Sequence, residues 1–241
     1  MTIKMHVDAG TVEYRNAARR LHNVDDLPAM VTHGGDMHWY QDGVYAREGG
    51  KPHMVDASGV ERWYRLSDGI HQEEQLHRDG DLPAWIEPNG DQIWFQFGKI
   101  SRGGDKPSRV FANGTQVWHL DGRVGREGDK PAVVYADGTQ EWHKNGNRHR
   151  GDDKPAVIGA DGVEEYYRFG SRHREGDKPA IVRPDGSCSW FYHDRRYCPT
   201  LDKYDDAYLQ RLLEDRAKKV RAIEAEIQRR GAAPDTLERA E

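Results

Sequence analysis

Hydrophobic and polar positions alternate in short stretches along the chain, and the stretches recur with a period of 24 residues. Seven prolines mark the period, with intervals of 24 residues except for one of 31: Pro28, Pro52, Pro83, Pro107, Pro131, Pro155 and Pro179. A glycine follows each proline by seven residues, and a large aromatic residue follows each glycine by four. A fixed period of this length is typical of tandem-repeat proteins. The sequence therefore predicts seven repeats, with part of an earlier one at residues 7–20.

Within a repeat, two strand-like segments are separated by a turn. The clearest repeat reads AVVY, then ADG at 136–138, then TQEWH, and Asn145-Gly146 follows as a strong two-residue hairpin signal. A three-residue hairpin loop favours glycine at its last position, where φ is positive. The sequence therefore predicts a mostly β protein, in which residues 1–199 form an elongated array of seven to eight β-hairpin repeats in a single-layer antiparallel sheet or solenoid.

The loop position decides which side chains share a face of the sheet. With 136–138 as the loop, we expect Ala132, Val134 and Trp142 to point the same way and to form the core. The other face, with Val133 and Glu141, is then the adaptable surface. The predicted core aromatics are Trp39, Trp63, Trp94, Trp118, Trp142, Tyr166 and Trp190.

One position on the predicted adaptable face is an aromatic ring in every repeat. We call these residues the aromatic stripe: Tyr40, Tyr64, Phe95, His119, His143, Tyr167 and Phe191. One interpretation is a docking surface for an extended partner. The other is that the rings stiffen the sheet or close a second thin core, as aromatic residues at fixed positions usually do.

The composition changes after Thr200, from where no proline or glycine occurs until Gly231. Thr200 as N-cap, acidic residues behind it and Arg229-Arg230-Gly231 at the other end predict a helix over 200–231, followed by a flexible tail at 232–241. Its apolar seam has the spacing of a short coiled coil: Leu209, Leu213, Val220, Ile223 and Ile227. The helix is expected to cap the last hairpin, to pair with a second copy and form a homo-oligomer, or to hold a partner.

Composition limits the class of protein. Of 241 residues, 32% are charged and 26 are glycine, which favours a thin, turn-rich structure over a thick core. The formal charge is only −5 and both signs are well mixed, so we expect no nucleic-acid partner. No stretch has the length of an apolar membrane span, and the N-terminal segment lacks the apolar run of a secretion signal. A soluble, cytoplasmic protein is expected.

The sequence offers no catalytic constellation, cofactor motif or metal motif. Histidines such as His149 and His173 recur with the repeat, so the period spaces them apart along the array. Cys188, His193 and Cys198 could supply three zinc ligands, but Cys188 and His193 have opposite strand parity and the cysteines lack the short spacing of a structural site. We therefore predict no enzyme activity, no cofactor and no metal.

Two irregular features have two interpretations each. The 31-residue interval contains an insertion at 66–76, which is either a binding loop or a harmless bulge. Five lysines recur before the prolines and could form a ladder for anionic lipid: Lys51, Lys106, Lys130, Lys154 and Lys178. Four of them directly follow Asp105, Asp129, Asp153 and Asp177, which offset their charge.

The repeat resembles MORN-type repeats. The resemblance is to the divergent phage and large-virus variant with a His-Arg-x-x-Gly-Pro-Ala-like signature, and it rests on 149–156 (HRGDDKPA) and 173–180 (HREGDKPA). It extends over roughly residues 7–194, although Asp-Lys precedes proline where the variant often has Asp-Gly. It implies a chain of hairpins that serves as a scaffold or interaction surface.

We therefore expect a non-enzymatic scaffold that presents a β surface to another protein. Within binding functions, the alternative is a phage- or virus-encoded virion component or inhibitor of a host protein, placed in the host cytoplasm or the virion. Outside them, the alternative is a binder of anionic lipid surfaces.

Overall fold

The computed structural model describes residues 3–66, 74–197 and 206–231. Most strands of the array belong to one long antiparallel sheet of 17 strands. These strands are Lys4–Asp8 (β1), Thr11–Arg15 (β2), Met30–Val31 (β3), Met37–His38 (β4), Met54–Val55 (β7), Glu61–Arg62 (β8), Trp85–Ile86 (β11), Gln92–Ile93 (β12), Arg109–Val110 (β15), Gln116–Val117 (β16), Val133–Val134 (β19), Gln140–Glu141 (β20), Val157–Ile158 (β23), Glu164–Glu165 (β24), Ile181–Val182 (β27), Cys188–Tyr192 (β28) and Arg195–Tyr197 (β29).

The remaining strands form six small two-stranded hairpins. They are Tyr40–Gln41 (β5) with Val44–Tyr45 (β6), Tyr64–Leu66 (β9) with Glu74–Leu76 (β10), Phe95–Gln96 (β13) with Lys99–Ile100 (β14), His119–Leu120 (β17) with Arg123–Val124 (β18), His143–Lys144 (β21) with Asn147–Arg148 (β22), and Tyr167–Arg168 (β25) with Ser171–Arg172 (β26). Among the described residues, a single α-helix, Asp206–Gly231 (α1), follows the strands, and a short 3-10 turn lies at Glu48–Gly50.

The long sheet is a meander in which each strand pairs with the next one of the sheet along the chain. Thus β16 pairs with β19, β19 with β20 and β20 with β23, all antiparallel. One repeat therefore adds two strands to the sheet and one small hairpin beside it. The predicted fold class, a mostly β hairpin array followed by one helix, is confirmed.

The conformations of the two turns in a repeat are those that their sequences favour. Tyr135 N–H donates to the Thr139 carbonyl at 2.9 Å, and Gly138, at φ 93°, donates to the Tyr135 carbonyl at 3.0 Å. This is a three-residue loop with a left-handed glycine last. Asn145 and Gly146 both have positive φ, at 53° and 85°, as a two-residue hairpin turn of the Asn-Gly kind requires.

A β-bulge after each proline changes the expected faces of the sheet. Val133 is the ladder partner of Glu141, yet the Ala132 N–H also donates to the Glu141 carbonyl at 2.7 Å. Two residues therefore oppose one, which is the geometry of a bulge. The same bond recurs in every repeat, for example from Ala156 to Glu165 and from Ser108 to Val117. The strict two-residue alternation assumed from the sequence stops at this point.

Ala132 and Trp142 are buried as expected, but the strand residues that face the core lie on the other side of the sheet from the one expected. Val133 and Glu141 are only 7% and 4% exposed, whereas Val134 is half-exposed. One buried cluster consists of Ala156, Val157 and Tyr167. Ala156 is the bulge residue, Val157 is its neighbour in the sheet, and Tyr167 belongs to the aromatic stripe. The small hairpins therefore cover the face that we expected to be the adaptable surface, and they close a thin core against it.

The tryptophan row is buried along most of the array. Six of the seven predicted core aromatics are 5–7% exposed, and Trp190 in the last repeat is half-exposed. Helix α1 is described over Asp206–Gly231, within the range predicted for it. The predicted N-cap Thr200, the tail at 232–241 and most of the insertion at 66–76 lie outside the described residues. Among the helices described, none has the length and apolar composition needed to cross a membrane.

Candidate binding surface

A cluster of three charged side chains covers the tryptophan in most repeats. The Arg126 guanidinium lies 4.0 Å from the centre of the Trp118 ring and donates to Asp105 through Nε at 2.6 Å. Lys130 Nζ donates to the same carboxylate at 2.7 Å, and the Trp118 ring N–H donates to the Asp105 backbone carbonyl at 3.1 Å. The cluster thus links two consecutive repeats, because Asp105 precedes Arg126 and Lys130 by 21 and 25 residues.

The cluster occurs five times. Its members are Asp26 with Arg47 and Lys51, Asp81 with Arg102 and Lys106, Asp105 with Arg126 and Lys130, Asp129 with Arg150 and Lys154, and Asp153 with Arg174 and Lys178. Hydrogen bonds from the arginine, and then from the lysine, hold the pKa of Asp26, Asp81, Asp105 and Asp129 well below the usual range. Each carboxylate therefore stays ionised beside its two cations.

Two positions depart from this pattern. At the junction across the long interval, Gly50 and Leu82 occupy the aspartate and lysine positions, and Arg78 still lies 3.8 Å from the Trp63 ring centre. Trp142 also differs, since its buried ring N–H has no hydrogen-bond partner. Because Gly50 replaces the aspartate, one junction between repeats lacks the carboxylate that binds the arginine and the lysine elsewhere.

The pairing changes the interpretation of the five ladder lysines. Each of them contacts an aspartate of the preceding repeat at 2.6–2.7 Å, rather than standing as an unmatched cation. For the four lysines that follow an aspartate in sequence, the neighbouring aspartate is not the one that the lysine contacts. A row of ion pairs attracts an anionic surface less than a row of free charges does.

The aromatic stripe lies against the sheet and is partly covered. Tyr167 is 8% exposed, and the other six rings are half-exposed. Tyr40 stacks on Tyr45 with ring centres 4.2 Å apart, and Tyr45 stacks on Tyr64 at 4.7 Å. Toward the C-terminal end, Arg172 lies between Tyr167 and Phe191, at 5.7 and 5.4 Å from their ring centres. The stripe therefore contributes to the packing of the small hairpins.

A buried ion-paired group lies under the stripe in one repeat. Glu141 accepts hydrogen bonds from Arg148 at 2.6 Å, and His143 Nε2 lies 2.8 Å from its other carboxylate oxygen. Burial alone would raise the pKa of Glu141, but the bonds to His143 and Arg148 outweigh this and lower the pKa to about 2. The carboxylate is thus a charged member of the thin core.

The face opposite the stripe carries one continuous row of half-exposed residues, which we call the ladder row. Direct cross-strand pairing connects its members in order: Val12, Val31, Met37, Val55, Glu61, Ile86, Gln92, Val110, Gln116, Val134, Gln140, Ile158, Glu164, Val182 and Cys188. The first strand of each repeat supplies a branched aliphatic residue and the second supplies, in most repeats, Glu or Gln. The row is therefore an apolar track with regularly spaced polar groups.

The small hairpins also create clefts between repeats. A cleft of about 670 Å³ is lined by His149, Tyr167, Phe169 and His173, among other residues. Burial lowers the pKa of His149 and His173, and the His149 ring stacks on Phe169 with ring centres 4.3 Å apart. These imidazoles are thus kept neutral as packing groups.

The helix seam is open where the structure describes its side chains. Leu213, Val220 and Ile223 are 66%, 46% and 60% exposed. Arg216, which interrupts the seam, lies near Gly186 at the turn of the last large hairpin. Leu209 and Ile227 belong to the helix, but their side chains are outside the described part.

Of the three residues considered and rejected as zinc ligands, Cys188 is half-exposed and its thiol donates to the Gly186 carbonyl at 3.6 Å. His193 stacks on His173 with ring centres 4.4 Å apart, and Cys198 lies outside the described residues. Within residues 3–66, 74–197 and 206–231, no three His, Cys, Asp or Glu side chains gather as a metal site.

Comparison with known proteins adds no relative: no family model, curated protein or solved structure matches the chain. The resemblance to MORN repeats therefore depends only on the residues quoted for it.

Proposed function

We propose that the chain is a non-enzymatic repeat protein that presents the ladder row to another protein. The supporting observation is the contrast between the two faces of the long sheet. On one face the small hairpins and the aromatic stripe cover Val133 and Glu141, and on the other the ladder row stays half-exposed in every repeat. Sheet residues of the covered face, such as Val133 and Glu141, are packed against their own chain and have little area left for a partner.

The chemistry of the ladder row suits an extended protein segment. Valine and isoleucine offer apolar contacts once per repeat, and the neighbouring glutamines can donate and accept hydrogen bonds. Protein interfaces combine an apolar centre with a polar rim in this way. The partner that fits best is therefore an elongated polypeptide with apolar residues at a matching spacing.

Capture of partners from the native host tests this proposal. The tagged full chain is compared with a triple variant, Val110→Lys, Val134→Lys and Ile158→Lys, at three half-exposed positions of the ladder row. We expect proteins recovered with the unchanged chain to be lost with the triple variant. The matched control is Ala112→Lys, Ala136→Lys and Ala160→Lys, which adds the same three positive charges at exposed turn positions.

Circular dichroism must first show that both variants keep the fold. If the ladder-row variant then captures the same proteins as the unchanged chain, the ladder row is not the binding surface. Tyr40 and Phe95 are half-exposed rings of the aromatic stripe. If Tyr40→Ser or Phe95→Ser abolishes capture instead, the result supports the aromatic stripe as the binding surface.

The lipid alternative has its own test. Because each ladder lysine is paired with an aspartate, we expect no flotation with anionic vesicles at low salt. The virion-component and host-inhibitor alternatives stay predictions from the resemblance alone.

A further inference from the structure

Strand β1 forms an uncovered edge at the N-terminal end of the long sheet. Within the described part of the chain it pairs only with β2, and all five of its residues are exposed. Met5 and Val7 are 62% and 63% exposed. An edge of this kind is a template for another strand, and natural proteins usually protect it.

The pairing of β1 with β2 determines which backbone groups of β1 point to the open edge. Tyr14 is the register partner of Met5, but its N–H donates to the Ala29 carbonyl at 2.8 Å and its carbonyl accepts from His22 at 2.9 Å. Both backbone groups of Tyr14 therefore point away from β1, so Met5 and Tyr14 form a non-hydrogen-bonded pair. It follows that the N–H and the carbonyl of Met5, and by alternation those of Val7, point to the open edge.

The sequence of β1, Lys-Met-His-Val-Asp, is complementary to itself when read antiparallel. If His6 of one copy lies opposite His6 of another, Lys4 faces Asp8 of the partner subunit and Met5 faces Val7 of the partner subunit. The backbone groups of Met5 and Val7 point to the open edge. Met5 of one copy and Val7 of the partner subunit therefore form the hydrogen-bonded pairs. The charged pairs fall at non-hydrogen-bonded positions, where side chains approach more closely.

We propose that two copies of the chain associate through β1, antiparallel and about a two-fold axis at His6, so that their long sheets join into one. Each dimer gains four backbone hydrogen bonds, two Met–Val contacts and two Lys–Asp pairs. A two-fold contact of this type closes on itself, because each β1 edge is used once. The interface is small, so the dimer is in equilibrium with the monomer over a measurable range of concentration.

Charge exchange tests the proposed register on the full chain with its tag at the C-terminal end. In Lys4→Asp and in Asp8→Lys, like charges face each other at both charged positions of the dimer. Sedimentation velocity over a concentration series should show association weakened by about tenfold in either variant. The double variant, Lys4→Asp with Asp8→Lys, restores both opposite-charge pairs and should dimerise like the unchanged chain.

An equal mixture of the two single variants provides the matched control. In the mixed dimer every charged position again faces its opposite, so the mixture should form dimers that neither variant forms alone. Circular dichroism confirms that each variant keeps the fold. A chain that stays monomeric at its highest soluble concentration, or single variants that dimerise as well as the unchanged chain, would overturn the proposal.

Growth beyond a dimer would also overturn it, since that indicates head-to-tail contact between different ends of the array. So would a dimer that persists in both single variants but disappears on Leu213→Lys with Ile223→Lys, because the helix seam would then hold it. None of these outcomes depends on the partner proposed for the ladder row.

Discussion

Individual tryptophans hold consecutive repeats together through the groups that cover them. Trp118 is buried beneath Arg126 of the following repeat, and its ring N–H donates to the backbone carbonyl of Asp105, whose carboxylate accepts hydrogen bonds from Arg126. Aromatic rings of this size contribute large buried areas, which matters in a chain with a thin core.

We expect Trp118→Ala to lower the free energy of unfolding by about 3–5 kcal/mol, because it empties a buried site between two repeats. Urea unfolding followed by circular dichroism measures the change. Trp190→Ala is the control, since Trp190 is half-exposed at the last repeat, and its cost should be clearly smaller. Equal losses at both positions would contradict a buried role for Trp118.

Glu141 is expected to make stability depend on pH. Its pKa in the folded chain is about 2, below the value of about 4.3 for an unfolded glutamate. The resulting stabilisation is full above the unfolded pKa and is lost as pH falls toward the folded pKa. The free energy of unfolding of the unchanged chain should therefore fall between pH 6 and pH 2. In Glu141→Gln this fall should be smaller by about 2–3 kcal/mol.

The exposed Glu127 supplies the control for this experiment, because Glu127→Gln removes a carboxylate from a loop. The change of slope in Glu141→Gln is measured relative to this variant, which makes the same chemical change elsewhere. A slope in Glu141→Gln as steep as in the unchanged chain would mean that Glu141 is not held ionised by Arg148 and His143.

At the scale of the element, the bulge after each proline decides which face of the sheet is sealed. The bulge residue is alanine in most repeats, and Ala156 is fully buried beside Val157 and Tyr167. Ala156 has no room for a larger side chain, because Tyr167 of the aromatic stripe and Val157 pack against it.

We therefore expect Ala156→Leu to destabilise the chain by about 1–3 kcal/mol through overpacking. Val134→Ile, which enlarges a half-exposed residue of the ladder row, should change stability by less than about 0.5 kcal/mol. Thermal unfolding of the two variants measures both effects. If the ladder-row change is the costlier one, the ladder row is the sealed face.

The repeat, the turns and the helix could be predicted from the sequence, because proline, glycine and Asn-Gly act locally and recur at a fixed spacing. The face of the sheet that is sealed could not be predicted. The prediction assumed strict alternation of side chains between the two faces, and one additional residue per repeat, Ala132 in the clearest case, interrupts that alternation. The persistent alanine after proline was the available signal. The partners of Lys106 and Lys130 were missed for a different reason, since their aspartates belong to the preceding repeat.

At the scale of the whole molecule, the array is modular, since each repeat adds two strands in register with the last. Removal of residues 126–149, one full period, joins equivalent positions of neighbouring repeats. We expect this shortened chain to fold and its maximum dimension, from small-angle X-ray scattering, to decrease by about 9–10 Å, which is two strand spacings. Removal of 126–137, half a period, should instead prevent folding, and a well-folded product would contradict the modular arrangement.

The joint at Gly50 and Leu82 gives the array a preferred breaking point. The five junctions that contain the cluster are each fastened by a carboxylate held between two cations, whereas at this one Arg78 donates to the backbone carbonyls of Gly50 and Pro83 and no carboxylate of the described residues takes the place of the aspartate. When the ends of the molecule are pulled apart, the N-terminal section up to this junction is expected to detach first and leave the longer C-terminal section intact. The protein would then behave as two mechanical segments in one uninterrupted sheet.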